Sequence, residues 1–313
     1  MKLRQMRDGA GLEAAVAQAT GQQLDGRRAL RAVAGGDINQ AFVGALTDGT
    51  RVFVKTRAEA PAGMYRAEAA GLRWLAEPGA IRTPAVIGVH DPPDGGEPAD
   101  RGEEGAPLPR CLVLEHVDVD PAAGGNDTAE TLGRGLAAIH RAGAPAFGHP
   151  EDSFIGPFPQ DNRPEATWAR FYGERRLLPM ARRAVDAGHG PESLLAAVEA
   201  LVPRLPSLIS PDEPPARLHG DLWGGNWMRG PGGEPVLIDP AVYGGHREMD
   251  LAMMQLFGGF PARVFDAYAE AQPLAPGATD RLALCQLYPL LVHAALFGGG
   301  YAASAERIAR RYA

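Results

Sequence analysis

Apolar residues are spaced differently in the two parts of this chain. Up to about residue 117 they alternate or fall in short blocks; beyond it they recur mostly every three or four positions. Residues 11–24 carry a short amphipathic helical pattern. AFVGAL (41–46) and RVFVK (51–55) read as two strands around Thr47-Asp48-Gly49-Thr50, because Asp-Gly between apolar runs favours a tight hairpin turn. A helix is predicted over 64–77, a strand near Ala85–Val89, and a buried-type strand over CLVLEHV (111–117). Between those last two strands, residues 91–110 are rich in Pro, Gly and acids and read as a solvated loop insertion. Helices are then predicted over 128–142, 165–188, 192–204, 247–257, 261–272 and 279–312, with one β interruption at 216–239. The expectation is an α+β chain of two lobes, a small β-rich N-terminal lobe (1–117) and a larger, mainly helical C-terminal lobe (118–313). They join near Glu115–Val119, and the crevice between lobes is the default ligand site.

Composition narrows the class. The 313 residues are 45% apolar, enough for one large or two medium domains. A net charge of -7 and a pI near 5.7 speak against nucleic-acid binding through broad basic patches. No apolar run reaches membrane-span length and the N-terminal stretch lacks a signal-peptide core, so a cytoplasmic protein without membrane partners is expected. Cys111 and Cys285 offer neither a disulfide framework nor zinc spacing. Of the 31 basic residues, 29 are arginine; only Lys2 and Lys55 are lysine. Lys55 is therefore the one interior site that uses a compact ammonium, a group suited to phosphate oxygens; chance in an arginine-biased chain is the competing explanation.

Three clusters carry candidate chemistry. On the 64–77 helix, Glu68 falls on the apolar stripe of Tyr65, Leu72 and Leu75, where an unpaired carboxylate is costly. Lys55 on the preceding strand is its candidate partner, an arrangement that kinases use to hold the lysine against nucleotide phosphates; the alternative is a Glu at the stripe's edge reaching solvent. Second, His219-Gly220-Asp221-Leu222-Trp223-Gly224-Gly225-Asn226 has the Asp-to-Asn spacing of a kinase catalytic loop. Asp221 would accept the proton of an attacking hydroxyl. A hairpin centred near Gly232 would set Asn226 opposite Ile238, bringing Asn226 and Asp239 together as two hard oxygen ligands suited to Mg²⁺. Third, Gly35-Gly36 in GGDIN lies just before the first hairpin strand, where paired glycines allow close backbone approach to phosphates. No P-loop, nucleophile elbow or H-E-x-x-H occurs. His140 reads as a satisfied structural residue, and His293 as either a core histidine or a substrate contact.

Together these segments resemble the fructosamine kinase (ketosamine-3-kinase) family, whose fold is protein-kinase-like and related to aminoglycoside phosphotransferases. The resemblance rests on GGDIN, VFVK, LVLEH, the 147–162 stretch ending in IGPFPQDN, the Trp168 to Leu177 stretch, HGDLWGGN, DPAVYGGHREMDLAM, LFGGF and QLYPLLVH. It implies ATP-dependent phosphorylation of the sugar 3-hydroxyl of a ketoamine, small or protein-bound, giving an unstable product that releases the amine. By motif it implies that Asp221 is the proton acceptor and that Asn226 and Asp239 hold magnesium. Gly35, Gly36, Lys55 and Glu68 would serve the phosphates, while Glu115, His116 and Val117 would offer backbone to adenine. His219 and Asp250 would support the catalytic loop, and Trp223 and His293 would face the sugar. Three departures stand out: Asp37 where relatives often carry cysteine, Gly224 where the pattern has serine, and a longer, more acidic 91–110 segment. The competing readings are an aminoglycoside- or choline-type phosphotransferase of the same fold and a nucleotide-binding pseudokinase. A protein kinase fits less well because no A-P-E segment follows Asp239.

Overall fold

The structure, a computed structural model, describes residues 2–33, 39–94, 107–120, 122–209 and 213–313, with side chains in the first helix described from residue 11 onward. Gly35, Gly36 and Asp37 lie outside the described residues. Two compact units divide the chain. One comprises residues 1–74, 83–119 and 156–158; the other comprises 75–82, 120–155 and 159–313.

The first unit is built on a five-stranded sheet in the order β1-β2-β3-β5-β4. Its strands are β1 (Arg31–Val33), β2 (Gln40–Ala45), β3 (Arg51–Thr56), β4 (Val86–His90) and β5 (Cys111–Glu115). Neighbouring strands are antiparallel throughout. Asp48 closes the β2–β3 turn by accepting the Thr50 amide at 2.8 Å, the Asx geometry that the Asp-Gly pair favours. Val52 and Val54 point into a core with Leu12, Ala15 and Val16 of α1 (Lys2–Thr20) and Val113 of β5. The opposite face of β3 carries Lys55, which sits between Ala41 and Leu112 in register. Helix α2 (Met64–Ala76) buries Tyr65, Leu72 and Leu75 as the sequence stripe requires.

The insertion is not all solvated loop. Asp91 is buried and accepts the amides of Gly63, Tyr65 and Arg66 at 3.0 Å each, capping the N-terminus of α2 from 26 positions away. Arg110 pairs with Asp91 at 3.2 Å and Leu108 joins the core. The expected loop over 91–110 therefore has structural ends; residues 95–106 are outside the described set.

In the second unit, helix α3 (Gly125–Ala142) packs along Ala262–Ala271, and the helix Ala278–Phe297 packs against Leu178–Asp186, Glu248–Phe257 and Gly300–Tyr312. The segment 75–82 belongs here: the Leu237 amide donates to the Arg82 carbonyl at 2.9 Å. Several predicted boundaries move. The first helix ends at Thr20 because Gly21 takes φ 71°, and β1 has too short an apolar signature to be anticipated. The expected 279–312 helix breaks at Gly298 and Gly299, both at positive φ. The 165–188 helix starts only at Trp168, where the Thr167 side chain accepts the Arg170 amide, and winds as a π-helix over Tyr172–Leu177. Within 216–239 lie the strands Ala216–Leu218, Trp227–Arg229 and Pro235–Leu237; a further strand, Tyr243–Gly245, pairs with the first. No helix among the described residues is long and apolar enough to cross a membrane.

Candidate active site

In the first unit, the Lys55 Nζ lies 2.7 Å from the Glu68 Oε1, with the two side chains only 6% and 10% exposed. The strand fixes one partner and the Asp91-capped helix the other, so the ammonium is held by a partly desolvated pair that water screens little. At the end of β5, the Glu115 amide donates to the Ala85 carbonyl at 2.8 Å and the His116 amide to the Arg51 carbonyl at 3.1 Å. Neither amide is left for a ligand. The Val117 backbone amide has no such partner among the described residues, which makes it the open donor of the three.

In the second unit, Asp250 organises the loop that runs from His219 to Asn226. Its carboxylate accepts the His219 amide at 2.8 Å and the Gly220 amide at 2.9 Å, and the His140 Nε2 lies 3.2 Å away. Burial raises the Asp250 carboxyl, but the hydrogen bond and charge from His140, together with the Gly220 amide, outweigh it and hold it below the ordinary value. His140 also meets the Tyr268 hydroxyl at 2.7 Å, so both its ring nitrogens are engaged. The satisfied structural role expected of it is what the structure shows, with Asp250 as the group it braces. Burial also lowers the His219 pKa, which keeps the ring neutral. A neutral ring suits both of its contacts: Nε2 donates to the Ile238 carbonyl at 2.9 Å and Nδ1 accepts the Asp221 amide at 3.3 Å.

The Asn226 side chain donates through Nδ2 to the Asp221 carbonyl at 2.8 Å and to the Asp221 Oδ2 at 3.0 Å. That orientation turns its Oδ1 away from Asp221, free to ligate a cation. The Ile238 amide donates to the Asn226 carbonyl at 3.0 Å, the register that the hairpin spacing required. The next residue, Asp239, has φ 54°, and among the described residues it is the only non-glycine at positive φ. Strain of this kind persists where surroundings over-determine it and clusters at ligand sites; the sequence carried no sign of it. Among the described residues no cluster of three or more His, Cys, Asp or Glu side chains could hold a metal alone. The donor set Asn226 plus Asp239 fits an ion that takes few protein oxygens and completes its shell with water and phosphate.

A small cavity in this unit is lined by Asp221, Tyr243, Met253, Tyr288, Val292 and His293 among others. His293 is therefore brought to the same cavity as Asp221. Its Nδ1 contacts the Pro289 carbonyl at 2.8 Å, its ring centroid lies 4.3 Å from that of Phe257, and burial lowers its pKa. The cavity lining does not include Trp223. That side chain is 43% exposed and covers Gly225, where any Cβ would run into the indole at 2.3 Å. The indole therefore lies over its own loop at the Gly224-Gly225 turn.

The fructosamine kinase family profile matches residues 11–313. A protein of Synechocystis assigned as a ketoamine kinase is 38% identical over 302 residues, spanning 95% of this chain and 94% of its own. The chain belongs to the fructosamine kinase family. Among solved structures, a protein of Thermobifida fusca assigned as a fructosamine-3-kinase superposes with a TM-score of 0.81 at 41% identity, covering 96% of this chain and 98% of that one. Likeness of fold alone extends to a macrolide 2′-phosphotransferase of Brachybacterium faecium, with a TM-score of 0.53 at 17% identity over 97% of each chain. The α+β fold, a β-sheet region followed by a mainly helical one, is thus the kinase-like phosphotransferase fold, and this family member is an ATP-dependent kinase.

Proposed function

We propose that this kinase transfers the γ-phosphoryl group of ATP to the 3-hydroxyl of a ketoamine, the adduct left when a reducing sugar glycates an amine. The observation that carries the reading is Asn226 holding the Asp221 carboxylate at 3.0 Å beside the strained Asp239, in a chain of this family. Asp221 accepts the proton of the sugar hydroxyl as the oxygen attacks phosphorus. The transition state spreads charge over the phosphoryl oxygens, so positioning and positive charge matter more than covalent help. Lys55, oriented by Glu68, contacts the nucleotide phosphates. Gly35 and Gly36 approach them through backbone, and the Val117 amide meets the adenine edge. Asn226 and Asp239 are the residues that would hold Mg²⁺; when bound, the ion supplies charge neutralisation to the triphosphate. His219 and Asp250 keep the loop in the one conformation that presents Asp221. Phosphorylation at the 3-position labilises the adduct and returns the amine, a deglycation.

A substrate panel tests this. ATP consumption is followed with fructose-lysine, ribulose-lysine, a glycated protein, choline and an aminoglycoside, and the phosphate is located by NMR. A 3-phosphate on a ketoamine is the expected product. Turnover with choline or the antibiotic alone would reassign the acceptor, and nucleotide binding without any transfer would make the chain a pseudokinase.

A further inference from the structure

A ladder of buried polar side chains ends at Tyr288 in the cavity beside Asp221. Arg176, 1% exposed, is stacked over Phe171 and Tyr243 at 4.5 and 4.2 Å and donates to the Asn162 Oδ1. The Asn162 Nδ2 donates to the Ser153 Oγ at 2.9 Å. Ser153 donates to the Gln160 Oε1 at 2.8 Å, and the Gln160 Nε2 donates to the Tyr288 hydroxyl at 2.6 Å. Ser153, Gln160, Asn162 and Tyr288 are all nearly inaccessible to solvent.

The direction of every bond in this ladder follows from its first member. A guanidinium only donates, so the Asn162 oxygen must face Arg176 and its NH₂ must face Ser153. Ser153, having accepted from Asn162, has one proton to give, and it goes to the Gln160 oxygen. Gln160 is then left with its NH₂ toward Tyr288. The Tyr288 oxygen therefore accepts, and its own proton has no partner among the described residues. Burial, together with the Asp221 charge, raises the pKa of that phenol despite the opposing effects of Arg176 and Gln160, so it stays protonated.

We propose that Tyr288 donates this hydrogen bond to the acceptor sugar, to an oxygen on a carbon next to the one phosphorylated, and so helps set specificity for a polyhydroxylated acceptor. The proposal rests on the reading of Asp221 as the base for a ketoamine hydroxyl. It also accounts for three segments that the catalytic residues leave unexplained, the 147–162 stretch, the Trp168 to Leu177 stretch and QLYPLLVH, which supply all five members of the ladder.

Two variants test it, each checked for a cooperative thermal transition. Tyr288→Phe removes the proton donor and keeps the ring. Gln160→Glu keeps Tyr288 but places a carboxylate oxygen where it captures the phenol proton; Ser153 still has an acceptor and Arg176 gains a nearby opposite charge. Both are expected to raise the KM for fructose-lysine about tenfold, the worth of one hydrogen bond, with the KM for ATP unchanged. A wild-type KM for Tyr288→Phe overturns the proposal. So does a raised KM for Tyr288→Phe with a wild-type KM for Gln160→Glu, since the hydroxyl would then act without its proton. Wild-type enzyme that turns over no ketoamine removes the underlying reading and this proposal with it, an outcome distinct from the other two.

Discussion

Asp250 accepts the amide of Gly220 at 2.9 Å and so fixes the peptide that leads into Asp221. Gly220 takes φ 83°, and a Cβ there would lie 2.0 Å from the Ala241 carbonyl oxygen. Loop and carboxylate are thus locked in one arrangement, with His140 behind them. Asp250→Asn keeps the shape but turns an NH₂ toward a backbone amide or toward the imidazole. Losing charge-assisted bonds in a fully buried site costs about 1.5–3 kcal/mol. Urea denaturation is expected to show that loss, and turnover is expected to fall at least tenfold while the KM for ATP holds.

Asp221→Asn separates basicity from geometry. The introduced amide can still accept from the Asn226 Nδ2 through its oxygen, so the loop keeps its 3.0 Å contact. What disappears is the group that takes the proton, a contribution of about 10²- to 10⁴-fold. Turnover should drop by that much with nucleotide affinity retained, as steady-state kinetics and nucleotide titration would reveal. Near-normal turnover would remove Asp221 from the mechanism.

For Lys55 and Glu68, structural and functional roles can be pulled apart. Removing one partner of a buried pair strands the other charge and costs about 3–5 kcal/mol, whereas replacing both with apolar groups is often neutral. Glu68→Leu alone is expected to lower the thermal midpoint sharply. Lys55→Met combined with Glu68→Leu should recover most of that stability yet remain inactive, because the phosphates have lost their ammonium. Recovery of activity in the double variant would refute the role given to Lys55.

Much of this architecture was legible because the chain obeys local rules. The Asp-Gly hairpin, the stripe of Tyr65, Leu72 and Leu75, and the spacing from Asp221 to Asn226 each reflect a geometry set within a few residues. What escaped was long-range. Asp91 caps a helix 26 positions earlier in the chain, and His140 reaches Asp250 from 110 positions away. No periodicity encodes either contact. The backbone strain at Asp239 and the proton order running from Arg176 to Tyr288 were equally invisible, since both depend on packing around the residue rather than on its neighbours in sequence. The placement of the Trp223 indole over Gly225 was hidden for a related reason, since the turn at Gly224-Gly225 decides where the ring lies.

Acid should weaken the fold in two separate steps. His219 and His293 are both held below the ordinary value of 6.5 by burial. The unfolded chain therefore takes up their protons first, and stability falls as pH drops below 6.5, by up to about 1.4 kcal/mol per pH unit for each ring that stays neutral. Above that value they contribute no slope. Asp250 is depressed from 3.8, so its stabilisation is intact at neutral pH and is lost only as pH falls below that range. Urea unfolding at pH 7.5 and 5.5 should differ in the wild type, and less so in His219→Asn. An identical pH difference in that variant would mean the buried imidazole is not kept neutral.

Gly224, which departs from the serine that the resemblance leads one to expect, is packed directly against a second turn. A Cβ at 224 would lie 2.8 Å from the Gly259 Cα and 2.9 Å from the Gly258 carbonyl oxygen, and a Cβ at Gly259 would come within 2.7 Å of the Gly224 Cα. The two backbones touch through paired glycines, both neighbours being backbone that has no rotamer through which to yield. Gly258 and Gly259 are also at positive φ, so the turn that follows Phe257 has little freedom to withdraw. Gly224→Ser is therefore expected to destabilise this chain by about 1–3 kcal/mol, the usual cost of overpacking. Because Asn226 lies two residues on, the displaced loop should also raise the magnesium concentration needed for half-maximal activity. Wild-type stability and magnesium dependence in Gly224→Ser would mean that the 258–259 turn moves aside at no cost, and that the glycine contact is incidental to the loop's position.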